Sequence, residues 1–153
     1  MKPLLQALLL ADHVYEDKRT GKKVIAGTFG RLFFTKERQR PQEVEQDGVK
    51  RRVIPGGMHA GSPYAYLSLT EVRGTIPCVL RYVALEDDKP LFQCDFEIRC
   101  DDPIETVEVV LPLPPLPTAK SGVYALELLC DNEPVGSLRV VVQEVKGQDD
   151  DNP

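Results

Sequence analysis

The chain has 153 residues and a net charge of −5 at pH 7. This length supports one domain with a hydrophobic core and is too short for two comfortable ones. The acidic balance disfavours sequence-independent binding of nucleic acid, which needs a basic surface, and only a local basic patch could reverse this. Thirteen prolines, eleven glycines and no tryptophan, without long helical periodicities, predict an all-β protein with many turns.

The apolar run 1–11 begins with a lysine at position 2 and superficially resembles a signal peptide. It is short, is interrupted by Pro3 and Gln6, and lacks a small-residue cleavage site. We therefore interpret it as the first strand of a cytoplasmic protein. No segment of the sequence is apolar for long enough to form a membrane helix, so we expect no membrane partner.

Eight strands are predicted from alternating or β-branched apolar runs that end at turn-forming residues. They cover residues 4–15, 24–34, 64–72, 76–85, 91–100, 104–113, 122–130 and 135–145. Gly27 and Gly30 lie inside the second strand, where a glycine usually marks a bulge or a close approach of two backbones. The last two strands flank a four-residue cluster of turn formers at 131–134 and therefore form a hairpin.

The connection 35–62 follows neither the helical nor the strand periodicity. It is polar and glycine-rich, and its six Lys or Arg and four Asp or Glu residues give it a charge of +2 in a chain of −5. Connections of this length are usually functional or disordered, so we predict a long flexible loop. The tail 147–153 is acidic and nonperiodic, which predicts disorder and leaves 1–146 as one domain.

The alternation of apolar and polar residues identifies one buried and one solvent-exposed face on several strands, because successive side chains of a strand point to opposite sides. The predicted inward residues are Ala65, Leu67 and Leu69, then Phe92, Cys94, Phe96, Ile98 and Cys100, then Val107, Val109, Leu111 and Leu113, and finally Tyr124, Leu126, Leu128, Cys130, Leu138, Val140 and Val142. On the third strand the outward residues are Tyr64, Tyr66, Ser68 and Thr70.

Strands joined mostly by short turns predict two antiparallel sheets that pack face to face. The prolines of 111–117 lack backbone donors, so this segment is expected to cross between the sheets in extended form. The crossover into Gly122-Val-Tyr124 resembles the tyrosine corner of immunoglobulin-like and fibronectin-type sandwiches, in which a tyrosine bonds back to the chain upstream. We predict an immunoglobulin-like antiparallel β-sandwich of about eight strands.

A wider resemblance rests on Ala11-Asp-His-Val-Tyr15, on Gly27-Thr-Phe29 and on the two segments Gly-Val-Tyr-Ala-Leu-Glu-Leu and Gly-Ser-Leu-Arg-Val of the last hairpin. Together these resemble a small, uncharacterised bacterial domain family, over most of the chain apart from 35–62 and the tail. The resemblance implies a bacterial cytoplasmic β-sandwich, and it implies no catalytic residues.

The four cysteines are Cys78, Cys94, Cys100 and Cys130. They have no CxxC spacing, and at least three of them occupy apolar positions of predicted strands. Buried cysteine behaves as a small hydrophobe, and a reducing cytoplasm keeps thiols free. We therefore predict four free thiols, with a disulfide across the sandwich as the alternative.

No catalytic, cofactor-binding or metal residues are identified, and the protein is expected not to be an enzyme. Nucleophilic catalysis needs a nucleophile, a base and an orienting group. The two histidines, His13 and His59, have no serine or cysteine motif around them, and no set of metal ligands accompanies His13. The glycine-rich segment 56–61 does not match a phosphate-binding loop.

Calcium binding is the alternative that the acidic turns suggest. If consecutive strands run antiparallel, several turns lie at one end of the sandwich, and they would bring together Asp17, Asp101, Asp102, Asp131, Asn132 and Glu133. Calcium takes clustered oxygen ligands of this kind. Asp and Asn are also the commonest turn formers, so we expect these residues mainly to form the hairpins.

Our functional prediction is a noncatalytic β-sandwich that acts as an interaction module. The connection 35–62 is the predicted binding segment, because loops on a rigid scaffold concentrate binding residues, and its partner is expected to be another protein, with no nucleic acid and no membrane. The alternative is a calcium-dependent or carbohydrate-binding sandwich, and a hydrolase built on the loop ranks third.

Overall fold

The computed structural model describes residues 2–34, 42–46, 49–53, 62–117 and 120–145. The described residues form eleven strands and no helix: β1 Leu4–Glu16, β2 Lys23–Phe29, β3 Arg31–Phe34, β4 Gln42–Gln46, β5 Val49–Val53, β6 Tyr64–Thr70, β7 Gly74–Ala84, β8 Lys89–Cys100, β9 Val107–Pro112, β10 Gly122–Cys130 and β11 Glu133–Glu144. The all-β prediction is confirmed. The predicted tail at 147–153 lies outside the described residues.

The four-stranded sheet has the order β2-β1-β6-β9, and every neighbouring pair in it is antiparallel. The long strand β1 forms because its leucine-rich run alternates between the core and the surface. Leu8 lies opposite Leu67, and Leu10 lies opposite Ala65, so both strands direct apolar side chains to the same side. A bulge between Leu5 and Ala7 shifts the register near the start of β1.

The five-stranded sheet has the order β3-β11-β10-β7-β8. The hairpin β10–β11 and the pairs β10–β7 and β7–β8 are antiparallel, while β3 runs parallel to β11. The prediction of wholly antiparallel sheets is therefore wrong at this edge. A parallel neighbour is possible because β3 and β11 are far apart in sequence, so no tight hairpin dictates their direction.

The predicted second strand at 24–34 divides at Gly30 into β2 and β3, which belong to different sheets. The carbonyl of Gly30 accepts a hydrogen bond from the Val141 N–H at 2.9 Å. The first residue after β2 is therefore already hydrogen-bonded to β11. Leu32 and Phe34 are then buried in the core. Gly30 thus marks a change of sheet rather than a bulge within one strand.

A single hydrophobic core contains buried residues of both sheets. The predicted inward residues Ala65, Leu67 and Leu69 are all fully buried. Near one end of β1, Leu5 packs on Gly136 of β11, where any β-carbon would overlap the leucine side chain. The proline-rich segment also contributes apolar side chains, because Leu113 and Leu116 are buried.

The predicted inward face of the fifth strand is only partly buried. In β8, Ile98 is buried, while Phe92, Cys94, Phe96 and Cys100 pack against the core and stay half-exposed. The alternation is as predicted, but β8 is an edge strand of its sheet, so one flank has no neighbour to cover it. The sixth strand is shorter than predicted: Ile104 is 86% exposed and lies in a turn.

The connection 35–62 contains a two-stranded sheet in which β4 pairs with β5 in antiparallel register. The predicted loop therefore includes regular structure. The sequence between the two strands is Asp47-Gly48, which is a strong signal for a two-residue hairpin connection. Residues 35–41, 47–48 and 54–61 lie outside the described part of the chain, and the flexibility of the connection stays a prediction.

Candidate functional site

One surface of the four-stranded sheet carries aromatic and aliphatic side chains away from the core. We call it the tyrosine face and define it by Leu4, Leu9, Tyr15, Val24, Tyr64, Tyr66 and Val110. The exposed fractions of Leu4, Tyr15 and Val24 are 55%, 56% and 36%, and the other four residues are half-buried. Scattered apolar residues are normal on a protein surface, but a contiguous patch of them is typical of a binding site.

The register places the members of the tyrosine face in rows across the strands. Leu9 of β1 lies opposite Tyr66 of β6, and Tyr66 lies opposite Val110 of β9. Further along, Tyr15 lies opposite Val24 of β2. Cross-strand neighbours on one face of a sheet are close enough to contact one another, so Leu9, Tyr66 and Val110 form one row, and Tyr15 and Val24 form a second row further along β1.

A hydrogen bond fixes the orientation of Tyr66 within this surface, since its hydroxyl donates to Oε2 of Glu108 on β9. Burial raises the pKa of the Tyr66 hydroxyl, and the hydrogen bond to Glu108 and the charge of that carboxylate raise it further. The phenol therefore stays protonated at neutral pH. The ring presents a preorganised apolar surface with a polar tip, which is the combination that makes tyrosine effective in binding sites.

The connection 35–62 rejoins the folded body next to the tyrosine face. Pro63 is buried, and its carbonyl accepts a hydrogen bond from the Leu113 N–H at 2.9 Å. Tyr64, the next residue, already belongs to the tyrosine face. The predicted binding segment and the exposed aromatic surface are therefore adjacent in the chain.

His13 lies on β1 and is exposed. Its backbone pairs with Ala26, and it points to the same side of the sheet as the tyrosine face. Its neighbour Asp12 points to the other side, where its Oδ2 lies 2.5 Å from the position that a β-carbon on Gly27 would occupy. Gly27 has a φ of 74°, and the group that approaches it is the side chain of Asp12 rather than the second backbone that was predicted. His59 and the glycine-rich segment 56–61 lie outside the described residues.

The acidic turns at 101–103 and 131–134 lie at one end of the molecule, as predicted, because the start of β7 pairs with the ends of β8 and β10, but the turn that holds Asp17 does not join them. Asp101 and Asp102 follow the end of β8, and Asp131 lies beside the start of β7, because its N–H donates to the Pro77 carbonyl at 2.8 Å. Asp17, by contrast, lies at the opposite end of the molecule. The physical reason is that β1 and β6 are antiparallel neighbours. If successive predicted strands alternated in direction, these two strands would be parallel, and the turn after β1 and the turn after β6 would lie at the same end. Because they are antiparallel, the two turns lie at opposite ends.

The acidic and amide residues act as turn formers. Asp131 and Asn132 have φ values of 53° and 64°, which a type I′ hairpin turn requires and which Asp and Asn tolerate better than other residues. The Oδ1 atom of Asp102 accepts a hydrogen bond from the Ile104 N–H at 3.0 Å. Among the described residues, no group of three or more His, Cys, Asp or Glu side chains is arranged to hold a metal ion.

All four cysteines are free thiols, as predicted. Two of them, Cys78 and Cys130, are buried, and Cys94 and Cys100 are half-buried on the edge strand β8. No functional role was predicted for any of them. Spacing in the sequence was no guide, since Cys78 and Cys130 are 52 positions apart and meet only through strand pairing.

A family model described as "Family of unknown function (DUF6941)" matches residues 6–143. The match covers all strands of the two larger sheets apart from the extreme ends of β1 and β11. No curated protein matches the chain. No helix among the described residues is long and apolar enough to cross a membrane.

Proposed function

The chain belongs to the DUF6941 family of unknown function, and we propose that this member is a noncatalytic interaction module that binds another protein. The observation that carries the proposal is the tyrosine face: a sheet surface on which aromatic and aliphatic side chains lie in cross-strand rows. Aromatic residues are enriched at protein interfaces, and apolar side chains left in water on a preformed surface favour burial against a partner.

We propose that the fold behind this surface is an immunoglobulin-like sandwich. Two observations support this: both sheets share one core, and Leu5 of one sheet contacts Gly136 of the other. The Tyr124 hydroxyl also donates to the Lys120 carbonyl at 2.7 Å, four residues upstream, as a tyrosine corner would. The free thiols support the further proposal that the protein acts in a reducing, cytoplasmic compartment, which we take to be bacterial from the resemblance in its sequence.

The connection 35–62 is the second part of the proposed binding site. Its charge of +2 favours a partner with acidic groups, since complementary charge steers association. The connection ends beside Tyr64, so a partner seated on the tyrosine face would also meet it. The proposed partner therefore has an apolar contact surface with acidic residues at its border.

The test is a pair of matched substitutions on the outer faces of the two sheets. Val24→Glu places a charge on the tyrosine face, and Val123→Glu places the same charge on β10, on the outer face of the five-stranded sheet. The two valines are 36% and 41% exposed, so the cost to folding is expected to be similar. Chemical cross-linking in cells, followed by mass spectrometry, identifies the partner and the positions that it touches.

We expect Val24→Glu to abolish the cross-links that wild type forms, and Val123→Glu to keep them, while both variants melt within a few degrees of wild type. Replacing residues 36–60 by a short Gly-Ser linker should weaken the same cross-links. The proposal is wrong if Val24→Glu retains the wild-type partner, or if the cross-links lie on the outer face of the five-stranded sheet.

Carbohydrate binding is the second candidate, and the outward tyrosines of the tyrosine face favour it, because aromatic rings offer an apolar platform on which a sugar ring can stack. Titration of the protein against soluble oligosaccharides separates the two candidates. A saturable heat that disappears in Tyr66→Ala would favour the carbohydrate and count against a protein partner at this face.

A further inference from the structure

Cys78 of β7 and Cys130 of β10 lie directly opposite each other in the five-stranded sheet. Their Sγ atoms are 3.4 Å apart, and the two residues are 2% and 1% exposed. No other cysteine pair among the four has this placement. Cys94 and Cys100 lie on the same strand, six positions apart, which corresponds to about 20 Å along β8.

The hydrogen-bond pattern identifies the kind of strand pair that the two cysteines form. The Asp131 N–H donates to the Pro77 carbonyl at 2.8 Å, so the hydrogen bond joins the residue after Cys130 to the residue before Cys78. This is the pattern of a non-hydrogen-bonded pair, in which the Cα atoms are about 4.5 Å apart and the side chains are closest. Disulfides occur at Cα separations from about 4.4 to 6.8 Å, so the backbone already lies within reach of a bridge.

A cavity of about 320 Å³ lies beside this pair. Cys130 is among its lining residues, and Lys2, Arg73, Asp131 and Glu133 supply charges of both signs. Its volume lies within the range of small-molecule sites. A zwitterionic molecule of peptide size therefore matches both the dimensions and the charges of the cavity, and it would meet Cys130 before Cys78, which does not line the cavity.

We propose that Cys78 and Cys130 are a redox-active dithiol that a low-molecular-weight peptide disulfide, entering this cavity, oxidises to an intramolecular disulfide. In the first step the Cys130 thiolate attacks one sulfur of the small disulfide, forms a mixed disulfide and releases one small thiol. In the second step the Cys78 thiolate attacks the Cys130 sulfur, forms the Cys78–Cys130 bond and releases the second small thiol. The two protein thiols lose two electrons and two protons, and the small disulfide gains them.

The environment of the two thiols assigns their order. The Cys78 thiol donates a hydrogen bond to the Cys130 sulfur, which lowers the pKa of Cys130. The same hydrogen bond and burial raise the pKa of Cys78. The thiolate is the nucleophile in thiol–disulfide exchange, so the cysteine that lines the cavity is also the one that ionises first.

The test uses the full-length protein in buffers with increasing ratios of oxidised to reduced glutathione. Acid quenching, alkylation of the remaining thiols and peptide mapping then report the state of each cysteine. We expect a linked peptide pair containing Cys78 and Cys130, and a melting temperature higher in the oxidised form by up to about 10 °C, because the bridge closes a long loop of the unfolded chain. The double variant Cys94→Ala with Cys100→Ala should behave in the same way.

The single variants separate the roles of the two thiols. Cys78→Ala cannot complete the second step, so Cys130 should retain one glutathione as a mixed disulfide, whereas Cys130→Ala should leave Cys78 unmodified. The proposal is overturned if Cys78 and Cys130 remain alkylatable in oxidised glutathione, or if only Cys94 or Cys100 is modified. Should a single variant fail to fold, the peptide map of the wild-type protein decides the question by itself.

Discussion

Replacing Tyr82 by phenylalanine should stabilise the protein. Tyr82 of β7 is fully buried, and its hydroxyl has no hydrogen-bond partner in the described part of the chain. Burying a hydroxyl without a partner costs about 1–3 kcal/mol. The ring itself stacks on Phe92 at 5.5 Å and on Tyr124 at 5.3 Å between centroids, and phenylalanine keeps both contacts.

The control is the same substitution at Tyr124. Its hydroxyl donates to the Lys120 carbonyl at 2.7 Å, so Tyr124→Phe removes a formed hydrogen bond and should cost about 0.5–1.5 kcal/mol. Urea unfolding followed by circular dichroism measures both free energies of unfolding. Two substitutions that delete the same atom from two stacked rings are thus expected to change stability in opposite directions. If Tyr82→Phe destabilised the protein by as much as Tyr124→Phe, the Tyr82 hydroxyl would have to form a hydrogen bond, and the reasoning would be wrong.

The pH dependence offers an independent check on Tyr82. Burial, together with the charge of ionised Tyr124, raises the pKa of the Tyr82 hydroxyl above the ordinary tyrosine value of 10.0. Because the folded pKa exceeds the unfolded one, the contribution of Tyr82 to stability is complete below pH 10 and is lost as the pH rises above that value. Wild type should therefore lose stability more steeply than Tyr82→Phe in alkaline urea titrations, and parallel curves would contradict the shift.

Three further predictions, which use five variants, test other parts of the structure by the effect of each variant on the free energy of unfolding. Gly27→Ala should lower the free energy of unfolding more than Gly21→Ala, because both glycines have a positive φ but only Gly27 faces a side chain within 4 Å. The backbone strain alone costs about 1–2 kcal/mol at each position, so equal losses would contradict the close approach of Asp12 to Gly27. Leu126→Ala in the buried centre of the five-stranded sheet should cost about 2–5 kcal/mol, and Phe96→Ala on the half-exposed edge strand should cost less than the 3–5 kcal/mol typical of a fully buried phenylalanine. Replacing 36–60 by a Gly-Ser linker should leave stability nearly unchanged, since closure entropy varies slowly with loop length; unfolding of that variant would show that the connection is structural.

Much of the strand pattern could be predicted because it is local. Alternation identified Ala65, Leu67 and Leu69 as core residues, and all three are fully buried. The hairpin of β10 and β11 followed from two apolar runs around the turn at 131–134. In each case the signal and the structure that it specifies lie within about a dozen residues, so neighbouring side chains carry the information.

The tyrosine face could be predicted in part. Tyr64 and Tyr66 were expected to face outward, because they alternate with buried residues of the same strand. Their neighbours could not be identified, since Leu9 and Val110 reach Tyr66 only through the order β1-β6-β9. That order depends on long-range pairing, which no local pattern encodes.

By itself, the sequence determined the class of fold, most strand positions and the inward face of several strands, because a strand of period two must direct its apolar side chains to one side. Apart from the hairpin of β10 and β11, only the tertiary structure decided which strands pair and in which direction. It placed β3 parallel to β11, moved Asp17 to the far end from Asp101, and set Cys78 against Cys130. These contacts form because residues of both sheets must pack into one shared core. That packing depends on the whole chain and not on any single segment of it.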